Sequence, residues 1–435
     1  MMTEPQPRAF LSHPGRVAVL IGVVAQALFS YRLTTPGKIM FDEVHYVPAA
    51  RKLLTLAMPA NTEHPLVGKE IIAAGIALFG DGPLGWRAFS TLAGTATVLG
   101  VFWIAWLTFG RTRTAALAAA FTLLNFTVFV QARIAMLDGF MAAFVVLATA
   151  VLLWSMRART AWGAWPRWLL GSVLLGLAVG AKWTAVPFVG YAGAAFLIVR
   201  LNDAHRSRRS VWWSLNARGH RHWPGLAAVP ALLTLGLVSI GVYFATFTPA
   251  LYYHDMPLRL DGLLSFQRDM YAQQIQVLPR HPYQSQWWSW PLMIRPIWYL
   301  YEYVDGANRG VLMIGNPVVL WGGLMAVAAC AYAGWRDRSL HLIGAGALWA
   351  GAFLPWIVIP KSLGFFYYYY LPSIFLPVAI AAALQRFCKG RFARWDEYAF
   401  LAALALFAFF YPILSAAPLA TAQSFHRWMW LPTWP

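Results

Sequence analysis

Eleven apolar runs, each close to the roughly 20 residues that cross a bilayer, dictate what this chain can fold into. They fall at about 16–34, 85–108, 114–131, 136–156, 167–181, 183–200, 225–247, 311–334, 340–359, 367–387 and 397–414. Runs of this length satisfy their backbone polar groups in lipid only as helices. Composition agrees: 60% of residues are hydrophobic and 11% are charged. A soluble chain could not cover itself with so little charge. The expectation is an all-α polytopic membrane protein of about eleven spans with two large outer loops. The stretch 168–201 is too long for one span and breaks at "GAKW" (180–183). Residues 71–79 are apolar but too short to cross, and read as a re-entrant or interfacial helix.

The formal charge is +18. Its basic residues are spread over short loops, as topology determinants are, so nucleic acid is not an expected partner. With the N-terminus in the cytoplasm, most Lys/Arg and few acids fall on inner segments; "RLNDAHRSRRSVWWSLNARGHRH" (200–222) is the strongest marker. The first apolar run is long enough to remain as an anchor. Cys330 and Cys388 suggest neither a disulfide nor a zinc framework. The chain divides into an N-terminal module with seven spans and the first outer loop (1–247), a long outer loop (248–310), and a C-terminal four-span module with an outer tail (311–435).

Chemistry-bearing residues gather on the outer side. Asp42 and Glu43 stand together in "IMFDEVHYVPAARKLL" in a chain with only 16 acids. Adjacent carboxylates raise the pKa of one of them, and a carboxylate facing a hydroxyl is a general base. The bland alternative is a hydrated loop pair. His45 and Tyr46 add donors beside them. His64, in "NTEHPLVGKEIIAAG", is an acceptor contact or a turn-capping side chain. A metal site from Asp42, Glu43, His45 and His64 is conceivable by residue type, but no ligand spacing supports one and none is expected. Arg133 and Asp138 lie at facing span ends, as an interhelical pair or as a phosphate-binding guanidinium with a sugar-contacting acid. Lys182 and Lys361 read as phosphate-neutralising ammonium groups or as snorkelling lysines. The stretch "RHPYQSQWWSWPLMIRPIWYLYEY" (280–303) carries His281, Tyr283, Ser285, Trp288 and Arg295. Its aromatics suit a membrane-resting mat or stacking on sugar rings. "YYYY" (367–370) reads as an interfacial belt.

Several stretches together resemble protein O-mannosyltransferases, lipid-donor glycosyltransferases of the GT-C class. They are "FDEVHY" (41–46), "HPLVGK" (64–69), "RIAMLD" (133–138), "GLAVGAKWTA" (176–185), "YQSQWWSWPL" (283–292), "GNPVVLW" (315–321) and "FFYYYYLP" (365–372). The resemblance implies a GT-C fold and a dolichyl- or polyprenyl-phosphate mannose donor. It also implies inverting transfer to Ser/Thr of secreted proteins on the outer membrane face. Asp42 would be the base, Glu43 would order the acceptor, and Arg133 and Lys182 would hold the donor phosphate. The loop 248–310 is too short for the β-trefoil domain of eukaryotic members, which implies the prokaryotic form. The histidine often found in the tyrosine run is Tyr369 or its neighbour here, and Lys361 stands near a common arginine. A sugar phosphate leaves as a stabilised anion, so one base and several cations suffice. Alternatives are transfer of another sugar to lipid A, a lipid or a polysaccharide, and a lipid-linked sugar transporter.

Overall fold

A computed structural model describes residues 13–435. The first apolar helix, α1, is Pro14–Ser30. The first loop then folds into α2 (Glu43–Leu54) and α3 (Val67–Phe79). The bundle continues with α4 (Pro83–Phe109), α5 (Thr112–Leu123), α6 (Phe126–Gln131), α7 (Leu137–Met156), α8 (Ala161–Ala181) and α9 (Val186–Arg206). Then come α10 (Val211–Asn216), α11 (Ala228–Ala245) and α12 (Leu263–Gln274). Strands β1 (Ile297–Val304) and β2 (Ala307–Met313) precede α13 (Pro317–Arg336), α14 (Leu340–Phe353), α15 (Tyr370–Phe387) and α16 (Trp395–Leu414).

The protein is a multi-pass membrane protein. Nine described helices are long and apolar enough to span. The two other expected spans are α1, with 17 residues, and the pair α5 and α6. That pair breaks at Asn125, whose side chain accepts from Thr127 N and donates to Ser373 O. Helix α3 has 13 residues, too few to cross, as expected for 71–79. The inner segment 1–15 falls largely outside the described residues.

The all-α expectation needs one correction. Residues 297–313 form an antiparallel hairpin with a bulge between Trp298 and Leu300. Its turn is Asp305-Gly306, both at positive φ (49° and 74°), the combination that matches strand twist. The expected span 311–334 therefore starts later, at Pro317. Arg309 locks the hairpin to the end of α16 by donating to the carbonyls of Val304, Asp305 and Ala416.

In lipid, close backbone approach rather than water exclusion holds helices together, so small residues mark the contacts. A Cβ on Gly100 of α4 would lie 2.5 Å from Val146 Cγ1 of α7. By contrast, Gly236 of α11 has no atom near such a Cβ. Gly100→Leu should therefore destabilise by about 1–3 kcal/mol through overpacking. Gly236→Leu should not destabilise. Thermal unfolding of the purified protein in detergent compares the two.

Candidate active site

The acid pair splits at once. Glu43 is fully buried and its carboxylate takes both Arg87 Nε and Nη2 at 2.7 Å. It also accepts the backbone N–H of Met40 (3.0 Å) and of Ala135 (2.9 Å). Arg87 spends its remaining donors on the carbonyls of Pro36 and Lys38. With every oxygen engaged, Glu43 orders the loop and has no lone pair left for an acceptor. That corrects the catalytic role expected for it. Arg87, in the first turns of α4, was passed over in the sequence. A lone arginine in an apolar span was the available signal.

Asp42 keeps its carboxylate. It sits at the N-terminal edge of α2, where its carbonyl accepts from His45 N and Tyr46 N. The residue is only partly covered by surface area yet surrounded by protein, the condition of a group at the bottom of a cleft. Burial raises its pKa from 3.8 to about 6; Lys182 opposes the rise and Asp138 adds to it. Phe41, at φ 49°, is held from both sides. Tyr299 stacks on it at 4.0 Å, and the Tyr367 ring meets it edge-on at 5.4 Å. This clamp sustains a backbone conformation that a bulky residue seldom adopts.

Lys182 ends α8 with an extended backbone (φ −161°), before the short turn that starts the next helix. Its ammonium donates to both oxygens of Asp138, at 2.9 and 2.7 Å, in the first turn of α7. The rings of Tyr367 and Tyr368 lie 5.6 and 5.5 Å from it. So Asp138 pairs with Lys182 and not with Arg133, and the tyrosine run walls the site instead of forming a belt. From Asp138, a narrow, mostly apolar crevice passes Met141, Phe188, Trp356 and Ile359. Thr184 lines it, with a buried hydroxyl that has no partner.

A second ring of contacts carries His64 and Lys361. Gln274 of α12 bridges them, accepting from Lys361 Nζ (2.5 Å) and donating to Glu63 O, with His64 Nδ1 3.0 Å away. The His64 ring meets Tyr46 edge-on at 6.0 Å. Burial and then the neighbouring Lys182 hold His64 well below its ordinary pKa, so it is neutral at pH 7. Burial, followed by Lys182, pulls Lys361 down to about 8. His45 is exposed, and among the described residues no three of His, Cys, Asp and Glu are grouped as metal ligands would be.

Two expected site residues are committed elsewhere. Arg133 donates from Nη1 and Nη2 to the carbonyls of Phe29, Tyr31 and Arg32, capping the end of α1. Arg295 binds the carbonyls of Pro282, Thr433 and Pro435. His281, Tyr283, Ser285 and Trp288 share a separate region with Arg295. His281 accepts from Tyr283 N and touches Phe365, whose ring stacks on Tyr367.

Two family models match the chain: dolichyl-phosphate-mannose-protein mannosyltransferase over residues 82–252, and the C-terminal four-transmembrane region of protein O-mannosyltransferase over 259–434. The chain belongs to the protein O-mannosyltransferase family. A polyprenol-phosphate-mannose–protein mannosyltransferase of Mycobacterium tuberculosis is 29% identical, over 95% of this chain and 90% of that protein. One from Corynebacterium glutamicum is 26% identical over 77% and 75%. The fold matches the donor-bound Pmt1–Pmt2 complex of S. cerevisiae with a TM-score of 0.79 at 14% identity, covering 98% of this chain and 94% of that one. The fold is thus GT-C. In this member of the family, the segment between α11 and α13 is filled by α12, short helical turns and the hairpin, without a β-trefoil.

The Glu43–Arg87 pair yields a prediction. Arg87→Ala leaves a buried carboxylate uncompensated, which costs about 3–5 kcal/mol. Folded yield in membranes should fall sharply, and Arg87→Lys, lacking the planar fork, should recover only part of it.

Proposed function

We propose that this protein transfers one mannosyl group, with inversion, from a polyprenyl-phosphate donor to Ser/Thr hydroxyls of protein acceptors. The observation that carries the mechanism is the division of the acid pair. Glu43 is spent on Arg87, while Asp42 stays reachable beside Lys182. The mycobacterial and corynebacterial relatives, polyprenol-phosphate-mannose–protein mannosyltransferases, supply the donor and acceptor class.

In the proposed step the acceptor oxygen attacks the anomeric carbon and the bond from that carbon to the phosphate oxygen breaks. The phosphate departs with the electron pair, and Asp42 takes the hydroxyl proton. Since the phosphate leaves as an anion, no second carboxylate need protonate it, unlike glycoside hydrolysis. Lys182 and Lys361 meet the developing phosphate charge, and Asp138 keeps Lys182 ionised and aimed. The prenyl chain would lie between helices within the bilayer.

Asp42→Asn should abolish mannosyl transfer from radiolabelled polyprenyl-phosphate mannose to a Ser/Thr peptide while donor binding persists; retained transfer would remove Asp42 as base. In the unmodified enzyme, kcat/KM should rise with pH and level off above about 6, because only the ionised carboxylate accepts a proton. A rate independent of pH between 5 and 7 would contradict this assignment. Label recovered in lipid or polysaccharide rather than peptide would assign the acceptor differently.

We further place the site on the outer face of the cell membrane, with the N-terminus in the cytoplasm. Arg87 lies in the first turns of the 27-residue α4, and Arg113 follows its far end, paired with Asp396. The basic loops 200–222 and 388–394 belong to that far end, as positive-inside orientation requires. A cysteine introduced at His45, with Cys388 replaced by serine, should react with an impermeant maleimide added outside intact cells.

A further inference from the structure

We propose that a cationic groove beside the catalytic aromatic wall receives an acidic stretch of the acceptor polypeptide, away from the hydroxyl that reacts; this rests on the function proposed above. The groove is a cavity of about 540 Å³ between the 280–295 loop and the chain's tail, lined by Arg280, His281, Gln284, Gln286, Trp288 and Arg295 among others. Every ionisable side chain on its wall is basic, and no carboxylate lines it. The Arg295 charge is fixed in place by three carbonyls. Among the described residues, Arg280 is exposed and makes no hydrogen bond or ion pair, and the Gln284 and Gln286 side-chain amides are equally unengaged. Amide side chains offer a donor and an acceptor each, which suits the backbone of an extended chain. Trp288 is 57% exposed and has no ring partner, leaving a flat face for side chains of that chain.

Continuity with the reacting centre favours the acceptor over other occupants. Ser285 on the groove wall accepts from Trp290 Nε1 (2.9 Å), and its N–H donates to Gly364 O (2.8 Å). Trp290 packs edge-on against Tyr368 at 5.8 Å, the ring that faces Lys182. Trp290 also packs on Trp356, so this stack separates the groove from the crevice beside Asp138. His281 on the groove wall is exposed and meets the half-buried Phe365, whose ring stacks on Tyr367 beside Lys182, so a polypeptide with its hydroxyl at Asp42 can follow these rings into the groove.

The test uses the full chain in detergent at low salt and fluorescent peptides sharing one Ser/Thr centre. One series carries Asp-Asp, a second Asn-Asn and a third Lys-Lys, at increasing distances from that centre. Binding is read by anisotropy and transfer by label. The Asp series should bind roughly twofold to fivefold more tightly per charge, within one window of distances, with KM changed and kcat not. High salt should erase the preference. Arg280→Gln should weaken it, and Arg280→Glu should shift it toward the Lys series. Equal affinity for the Asp and Asn series, or a preference unchanged in Arg280→Glu, would overturn the proposal. Charge-dependent binding with no transfer to any peptide would overturn the assigned function while upholding the groove as a peptide site.

Discussion

Glu43 and Arg87 form a fully buried ion pair that ties α2 to α4, and the Glu43 carboxylate also collects N–H groups from residues 40 and 135. One side chain thereby gathers the loop after α1, the start of α4 and the approach to α7. Such a pair adds little net stability, since removing two charges from water offsets most of their attraction. Its effect is geometric. The carboxylate must lie where all four donors meet, and this fixes the backbone from which Asp42 projects.

Two neighbouring carboxylates therefore acquire opposite environments. Glu43 is neutralised by a guanidinium and silent. Asp42 is enclosed but not paired, with a lysine close enough to matter and already shared with Asp138. This arrangement suits a reaction that needs one proton acceptor and a positive field for a leaving phosphate. The aromatic residues finish the enclosure: Tyr299 and Tyr367 clamp Phe41, and Tyr367 and Tyr368 flank Lys182.

Much of the fold was legible because bilayer thickness imposes a length that apolar runs either meet or do not. Hence nine of the eleven expected segments and the break at "GAKW" could be read directly, and the short apolar stretch at 71–79 falls within the non-spanning α3, Val67–Phe79. The hairpin was overlooked because its tyrosines and tryptophans look like an interfacial band, although Asp305-Gly306 announced the turn. Asp42 and Lys182 could be singled out as rare charges near membrane depth. Arg133 could too; a guanidinium that can bind phosphate can equally cap carbonyls, and here it caps α1.

The sequence by itself determined a many-span helical membrane protein, its orientation signal and the few ionisable residues that needed a reason to be there. These follow from composition and periodicity, which are local. Only the tertiary structure decided which acid of the pair is free, that Asp138 belongs to Lys182, and that the tyrosine run faces the site instead of lipid. Those outcomes depend on which donors from distant segments reach a given carboxylate or ammonium group. In a low-dielectric interior, that pairing sets whether a charge is structural or available for chemistry.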